Sequence, residues 1–380
     1  MDSVFDKVVD RSCSSSLKWD RYKGRDIIPM WVADMDFEAP PAVIQALHTR
    51  VDHGVFGYTL PPAELTNTIL EYLADEFSWQ IEPGWIVWLP GLVTGINVAS
   101  RSTGESGNEI ITFTPAYPPF LDAPGLSDRK NVTVPLVIQD GRYSFDEQNL
   151  KQAITPRTSL LNLCSPHNPT GRVWDKNELE KIAEICLSND VVICSDEIHN
   201  GLVLDDVKHI PTATLSEEVA QKTITLMAPS KTFNIAGLGC SFAIIPNESL
   251  RRRFLHVMEG IVPHVNALAY TSALAAYRDS GQWRKDLLEY LRSNRDLVLD
   301  FVNERIPELS AENIEATYLA WIDARSLGPD DPARFFAEHG VGLLDGKEFG
   351  AEGFVRLNFG CPRRTLMQGL TRMQTAVSRV

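Results

Sequence analysis

The sequence is short of the features that would tie it to an oxidising compartment, a membrane or nucleic acid. Its six cysteines, Cys13, Cys164, Cys186, Cys194, Cys240 and Cys361, are scattered, with no C-x-x-C pair and no histidine at zinc-ligand spacing. That excludes a disulfide scaffold and a zinc ribbon, and leaves reduced thiols and no metal as the expectation. No apolar run nears the length of a membrane span, and the opening MDSVFDKVVDRSCSSS lacks the basic start and apolar stretch of a secretory signal, so the expected location is the cytoplasm. Basic charge is in deficit: 36 Lys and Arg against 50 Asp and Glu give a net charge of −14. That balance argues against nucleic acid or an anionic membrane as the main partner, while leaving room for a local positive pocket. Internal repeats and low-complexity segments are absent, as are the G-x-G-x-x-G and G-x-x-x-x-G-K-[ST] loops of dinucleotide and nucleotide binders.

What remains is a chain of 380 residues, 44% hydrophobic and 23% charged, enough for a sizeable core and ordinary for two domains. Helical patterning begins at PAVIQALHTRV and returns over residues 64–77, with the loop GVFGYTLPP between them. From residue 86, the short apolar runs IVWLP, IITFTP, VTVPL, SLLNLC, VVICSDE and TITLMAPS alternate with helical stretches such as LVTGINVASR and ELEKIAEICLSN. Short strands alternating with helices predict an α/β domain on a mostly parallel sheet. Beyond about residue 280, the long amphipathic helix QWRKDLLEYLRSNRDLVLDFVNERI leads to the strand candidates ATYLAWIDA, GVGLLDG and GFVRLNFG and a C-terminal helix, a smaller α+β domain. The expected division is an N-terminal arm over 1–45 that joins the small domain, a large cofactor-binding domain over 46–282, and the small domain over 283–380.

In open parallel sheets, ligands bind at the carboxyl ends of the strands. Here those ends carry the chemistry-bearing residues. After IVWLP, GLVTGIN offers a helix start whose free N–H groups suit a phosphate. After IITFT, PAYPPF fixes Tyr117 on a proline-stiffened loop, and after SLLNLC, SPHNPTG sets Asn168 between two prolines. After VVIC, SDEIH places Asp196 and Glu197 just past a buried strand, and after TITLMA, APSK places Lys231. Each has an ordinary explanation alone: a glycine turn, a surface aromatic, an Asx turn, a helix cap, an exposed lysine. Together they form a phosphate cradle, an aromatic face, an amide, a carboxylate and a lysine. That is the set pyridoxal 5'-phosphate needs, with the lysine for its aldehyde and the carboxylate for its ring nitrogen.

Seven collinear motifs carry a wider resemblance: MWVADMDF (30–37), FGYT (56–59), TPAYPPF (114–120), PHNPTGRVW (166–174), SDEIH (195–199), APSKTFNIAGL (228–238) and VRLNFGCPR (355–363). Over nearly its whole length the chain resembles a fold-type I pyridoxal phosphate enzyme of the class I/II aminotransferase superfamily, and within it the cystathionine β-lyase-like branch of cystalysin-like C–S lyases. The resemblance implies an aspartate aminotransferase-like fold and a set of roles. Lys231 would anchor the cofactor and act as the base at the substrate Cα. Asp196 would pair with the ring nitrogen, Asn168 with the ring oxygen, and Tyr117 would stack on the ring. His199 stands where aminotransferases carry a tyrosine bonded to that oxygen. Ser230 and the amides of Val93 and Thr94 would bind the phosphate, and Tyr58 would reach the phosphate of the neighbouring subunit in a homodimer with shared active sites. Arg356 would take the substrate α-carboxylate, for which its planar fork is suited, with Asn168 beside it and Ala33 lining the pocket through its backbone. Either Tyr58 or Tyr117 would assist proton transfer.

The implied reaction is α,β-elimination, in which cystathionine or a related cysteine S-conjugate gives a thiol, pyruvate and ammonia. The rival is an aminotransferase acting on an amino acid and a 2-oxo acid. Gly239 favours the lyase, because many aminotransferases carry there an arginine that clamps the phosphate and retains the cofactor's amine form between half-reactions. On this reading, Gly239→Arg is expected to tighten binding of that form. Gly201 is a further departure, standing where lyase relatives often carry an acid.

Overall fold

The computed structural model describes residues 3–379. Seven strands form the central sheet: β1 (Ile86–Leu89), β2 (Glu109–Thr114), β3 (Lys130–Pro135), β4 (Thr158–Cys164), β5 (Val192–Asp196), β6 (Thr223–Met227) and β7 (Ser241–Ile244). Their order is β1-β7-β6-β5-β4-β2-β3. The run from β6 through β3 is parallel, and β7 is antiparallel to both of its neighbours. Every residue of β5 and β6 is buried, which is why these segments read as continuous apolar runs. Successive side chains go to opposite faces and feed two cores. Ile110, Leu160 and Cys194 enter one, and Ile111, Leu161 and Ile193 the other. The first core is closed by α2 (Leu92–Ser102), and the second by α3 (Lys176–Ser188), which starts at an Asp175–Glu178 capping box. Helix α1 (Pro41–Asp52) packs Val43 against Phe233, Ile235, Ala275 and Ala276.

A second, antiparallel sheet has the order β8-β9-β11-β10, from β8 (Ser310–Ala311), β9 (Leu319–Asp323), β10 (Leu344–Asp345) and β11 (Phe354–Asn358). Helices α4 (Gly281–Arg305) and α5 (Arg363–Val377) cover it, and their Leu287, Leu291, Leu366 and Met373 share a core with Phe5, Met30, Met35 and Phe37 from the start of the chain. Ile28–Pro29 also pairs in parallel with Val341–Gly342. The two sheets match the expected α/β and α+β patterns.

Three details differ from the sequence reading. The run CSFAII forms β7, a strand the alternation of runs and helices did not separate from the lysine motif before it. ATYLAWIDA pairs with β11 only from Leu319, because Thr317 takes a left-handed φ of 76° and Ala316 bridges back to Val203. GVGLLDG splits in two, because Val341–Gly342 pairs with the N-terminal segment and Leu344–Asp345 with β11. Among the described residues, no helix is long and apolar enough to cross a membrane.

Candidate active site

The parallel strands end, and β7 begins, on one edge of the central sheet, where a cavity of about 190 Å³ opens. Of the residues expected from sequence, Ala33, Val93, Tyr117, Asn168, Asp196, His199, Ser230 and Lys231 line it. The Lys231 Nζ donates to the Ala33 carbonyl at 2.5 Å, which also accepts from the Tyr318 hydroxyl at 2.9 Å. Arg356, on β11, lies one hydrogen bond behind the wall. It donates to the Asn168 Oδ1 and to the Trp31 carbonyl, each at 3.0 Å, and its guanidinium lies 4.8 Å from the centre of the Phe349 ring. The residue is buried, and its Nε has no partner among the described residues.

The charges here are poorly compensated, and that shifts them. Burial and then the Arg356 charge pull the Lys231 amine down to about 8, against the smaller pull of Asp34 and Asp196. Burial likewise draws Arg356 down to about 10. His199 is driven down to about 3 by burial, then by Lys231 and Arg356, so its ring is neutral; its Nδ1 has no partner among the described residues. Asp196 accepts from the Ile198 N–H at 3.1 Å, yet burial, aided by Glu197, pushes its carboxyl up to about 7. A folded-state pKa raised from 3.8 means that this carboxyl's contribution to stability is fully present at low pH and is lost as pH rises toward about 7. Cofactor-free Asp196→Asn protein is therefore expected to be more stable than the native chain at pH 8, by on the order of 3 kcal/mol, with no gain at pH 4. Denaturant titration at the two pH values measures this, and equal stability at pH 8 contradicts it.

Not every expected residue meets at the cavity. Thr94 sits in the first turn of α2 beside Val93 but off the lining, and Tyr58 is fully exposed, flanking a separate hollow with Pro263 and Leu268. Conversely, Cys240 and Ser241 line the cavity unforeseen, beside Gly239, the position already marked by its missing arginine. They lead into β7, which starts at Ser241 and whose reversed direction brings its N-terminal rather than its C-terminal end to this edge. Cys164, the last residue of β4, also lines it, and its thiol accepts from the Asn168 N–H at 3.4 Å. The structure corrects the proposed arginine substitution. Gly239 has a left-handed φ of 66°, and a Cβ there would meet the Pro90 carbonyl at 2.8 Å, so Gly239→Arg strains the backbone before its side chain reaches anything. At Gly201 a Cβ would fall 2.6 Å from the Thr232 Oγ1, which closes that position to an acid as the backbone stands.

The residues fit pyridoxal phosphate. α2 begins at Gly91 without a side-chain cap, and Gly91, Leu92 and Val93 border the cavity, so its first N–H groups suit a phosphate. Asp196 is a buried carboxylate in want of a cation, such as a protonated ring nitrogen, and Lys231 offers an amine of lowered basicity in the same cavity. Comparison with known proteins agrees with this picture. The chain is 37% identical over 385 residues to cystathionine beta-lyase PatB of Bacillus subtilis, covering 98% of this chain and 100% of that one. The crystal structure of OvoB superposes with a TM-score of 0.97 at 47% identity, covering 99% of each chain. Cystalysin from Treponema denticola, whose crystal structure contains a pyridoxal 5'-phosphate cofactor, superposes with a TM-score of 0.95 at 35% identity over 100% of both chains. Residues 25–373 match the family described as aminotransferase class I and II, and the chain belongs to that family.

Proposed function

We propose that this protein is a pyridoxal phosphate-dependent C–S β-lyase that cleaves cystathionine or a related cysteine S-conjugate to a thiol, pyruvate and ammonia. The observation that carries the reading is the convergence of Lys231, Asp196 and the Asn168–Arg356 pair on one cavity at the sheet edge. When bound, the cofactor supplies an aldehyde for the substrate amine and a protonated ring that accepts the electron pair of the broken Cα–H bond. Lys231 would hold the aldehyde and serve as the base for the Cα proton, a task suited to an amine drawn down toward neutrality. Asp196 would keep the ring nitrogen protonated, Asn168 and the neutral His199 would serve the ring oxygen, and Tyr117 would supply an aromatic face. Ser230 and the amides at the start of α2, Val93 and Thr94 among them, hold the phosphate. Arg356 and the backbone at Ala33 take the substrate carboxylate. The test is a screen of cystathionine, cystine, cysteine S-conjugates and cysteine sulfoxides for pyruvate and thiol, with borohydride fixing the cofactor on the peptide that contains Lys231. Label on Lys222 or another lysine, or no pyruvate from any of these, overturns the reading.

The proposal extends to a cytoplasmic homodimer whose active sites are shared, with the chain divided into an arm over 1–45, a large domain over 46–282 and a small domain over 283–380. Supporting the dimer, Val55, Phe56, Tyr58 and Leu60 form an exposed apolar stretch, with Tyr58 and Leu60 almost wholly open to solvent. A mixture of Tyr58→Phe and Lys231→Ala chains is expected to recover activity that neither has alone, because one site of each hybrid pairs two native residues. Mass-verified hybrids with no recovery contradict the shared site.

A further inference from the structure

The Ala33 carbonyl that holds the Lys231 amine belongs to a segment, residues 31–37, with no strand partner of its own. Two of its supports come from residues near the site. The Asn234 side chain accepts from the Met35 N–H at 3.0 Å and donates to the carbonyls of Met35 and Phe37 at 3.0 and 2.7 Å. The Asn358 amide donates to the carbonyls of Val32 and Asp34, both at 2.6 Å. The Asp36 N–H also donates to the Gly360 carbonyl at 2.8 Å, and a further, ionic support comes from the start of the chain. Arg11 forks onto the Asp36 Oδ1 at 2.7 Å and the Asp34 Oδ2 at 2.8 Å. Lys18 donates to the Asp36 Oδ2 at 2.8 Å and the Asp34 carbonyl at 3.1 Å, and the Trp19 Nε1 donates to the Asp36 Oδ1 at 2.9 Å. The Trp31 indole closes the set by donating to the Lys18 carbonyl at 3.0 Å.

Lys18 is 1% exposed and Asp36 5%. Ions so deeply buried add little net stability over well-packed apolar side chains, but each fixes the position of its partner, and removing one strands the other. What this cluster fixes is the pair of acids on either side of Met35, directly after Ala33. We infer that Arg11, Lys18 and Trp19 are positioning residues of the active site: by clamping Asp34 and Asp36 they set the Ala33 backbone, which lines the pocket proposed for the substrate carboxylate and whose carbonyl accepts from Lys231. The inference rests on the proposed role of Lys231.

Arg11 is the residue to change, because its side chain is 21% exposed and its loss leaves the Lys18–Asp36 pair in place. In the purified full-length protein, Arg11→Gln is expected to speed amide hydrogen exchange in peptides spanning 31–37 by about tenfold, the scale of one charge-assisted hydrogen bond. The KM for cystathionine should rise by about tenfold as well, with kcat within about threefold of native. Arg11→Lys, which can reach one acid but not both, should fall between. Trp19→Phe, which removes a single donor and keeps the ring's bulk, gives a second and milder variant. Lys7→Gln is the control, since the exposed Lys7–Glu38 pair belongs to the same arm but touches neither acid, and it should behave as native. Unchanged exchange and KM in both Arg11→Gln and Trp19→Phe overturn the inference. So does faster exchange throughout the chain with KM unmoved, the mark of a purely structural role. The exchange result stands whether or not cystathionine is a substrate, so failure of the functional reading and failure of the clamp are told apart.

Discussion

Lys231→Ala protein is expected to release pyruvate from cystathionine at about 10⁻³ of the native rate or less, the scale of losing both a covalent anchor and a general base. Lys231→Arg should be nearly as inactive, and that comparison carries the argument. If the site needed only a positive charge at this position, arginine would serve, because its guanidinium stays protonated. If it needs an amine that can lose its proton, arginine fails. The Lys231 amine is prepared for that by its setting, drawn down to about 8 by burial and by Arg356 while the Ala33 carbonyl holds it. Because its pKa is depressed, the amine's contribution to stability is present above its ordinary value and lost as pH falls through about 8, so the site carries a standing cost at neutral pH. A rate for Lys231→Arg within tenfold of native contradicts the base assignment.

Arg356→Gln should produce opposite changes in activity and stability. The guanidinium is buried among the Asn168 amide, the Trp31 carbonyl and the Phe349 face, all uncharged, and burial pulls its pKa down to about 10. A depressed base of this kind costs stability throughout the neutral range, where it is charged, and the cost here is on the order of 3 kcal/mol. In its proposed role, substrate binding brings the missing anion. Removing the charge is expected to lower kcat/KM by about 10²–10³-fold, chiefly through KM, the range seen when one partner of a buried charged pair is lost. The same variant, free of substrate, should unfold at a higher denaturant concentration than the native protein. Steady-state kinetics and equilibrium unfolding on one preparation test both halves. An unchanged KM removes Arg356 from the carboxylate site.

The strand-end motifs were legible because an open parallel sheet sends its ligands to one edge, so Tyr117, Asn168, Asp196 and Lys231 could be grouped without knowing any distance. Gly239, Cys240 and Ser241 escaped that rule because β7 is antiparallel and presents its beginning there. Tyr318 and Phe349 were missed for another reason. Their contacts to Ala33 and Arg356 join distant parts of the chain, and no local pattern marks which buried aromatic will reach a residue of the site. The Arg11–Lys18–Asp36 cluster was hidden for the same reason, because no spacing along the chain shows that these charges meet. Gly239 was noticed as a missing arginine, but its left-handed backbone and the Pro90 carbonyl beside it become visible only in three dimensions.

The most direct measurement of the central claim is a product balance with cystathionine as sole substrate and no 2-oxo acid present. Elimination regenerates the same form of the enzyme each cycle, so pyruvate and thiol should appear in equal amounts and continue for many equivalents per subunit. Amino transfer without an acceptor stops after one equivalent, leaving the cofactor as its amine and the substrate carbon as a new 2-oxo acid with the C–S bond intact. A sustained one-to-one release of pyruvate and thiol is the predicted result, and a single stoichiometric turnover without free thiol contradicts the lyase assignment.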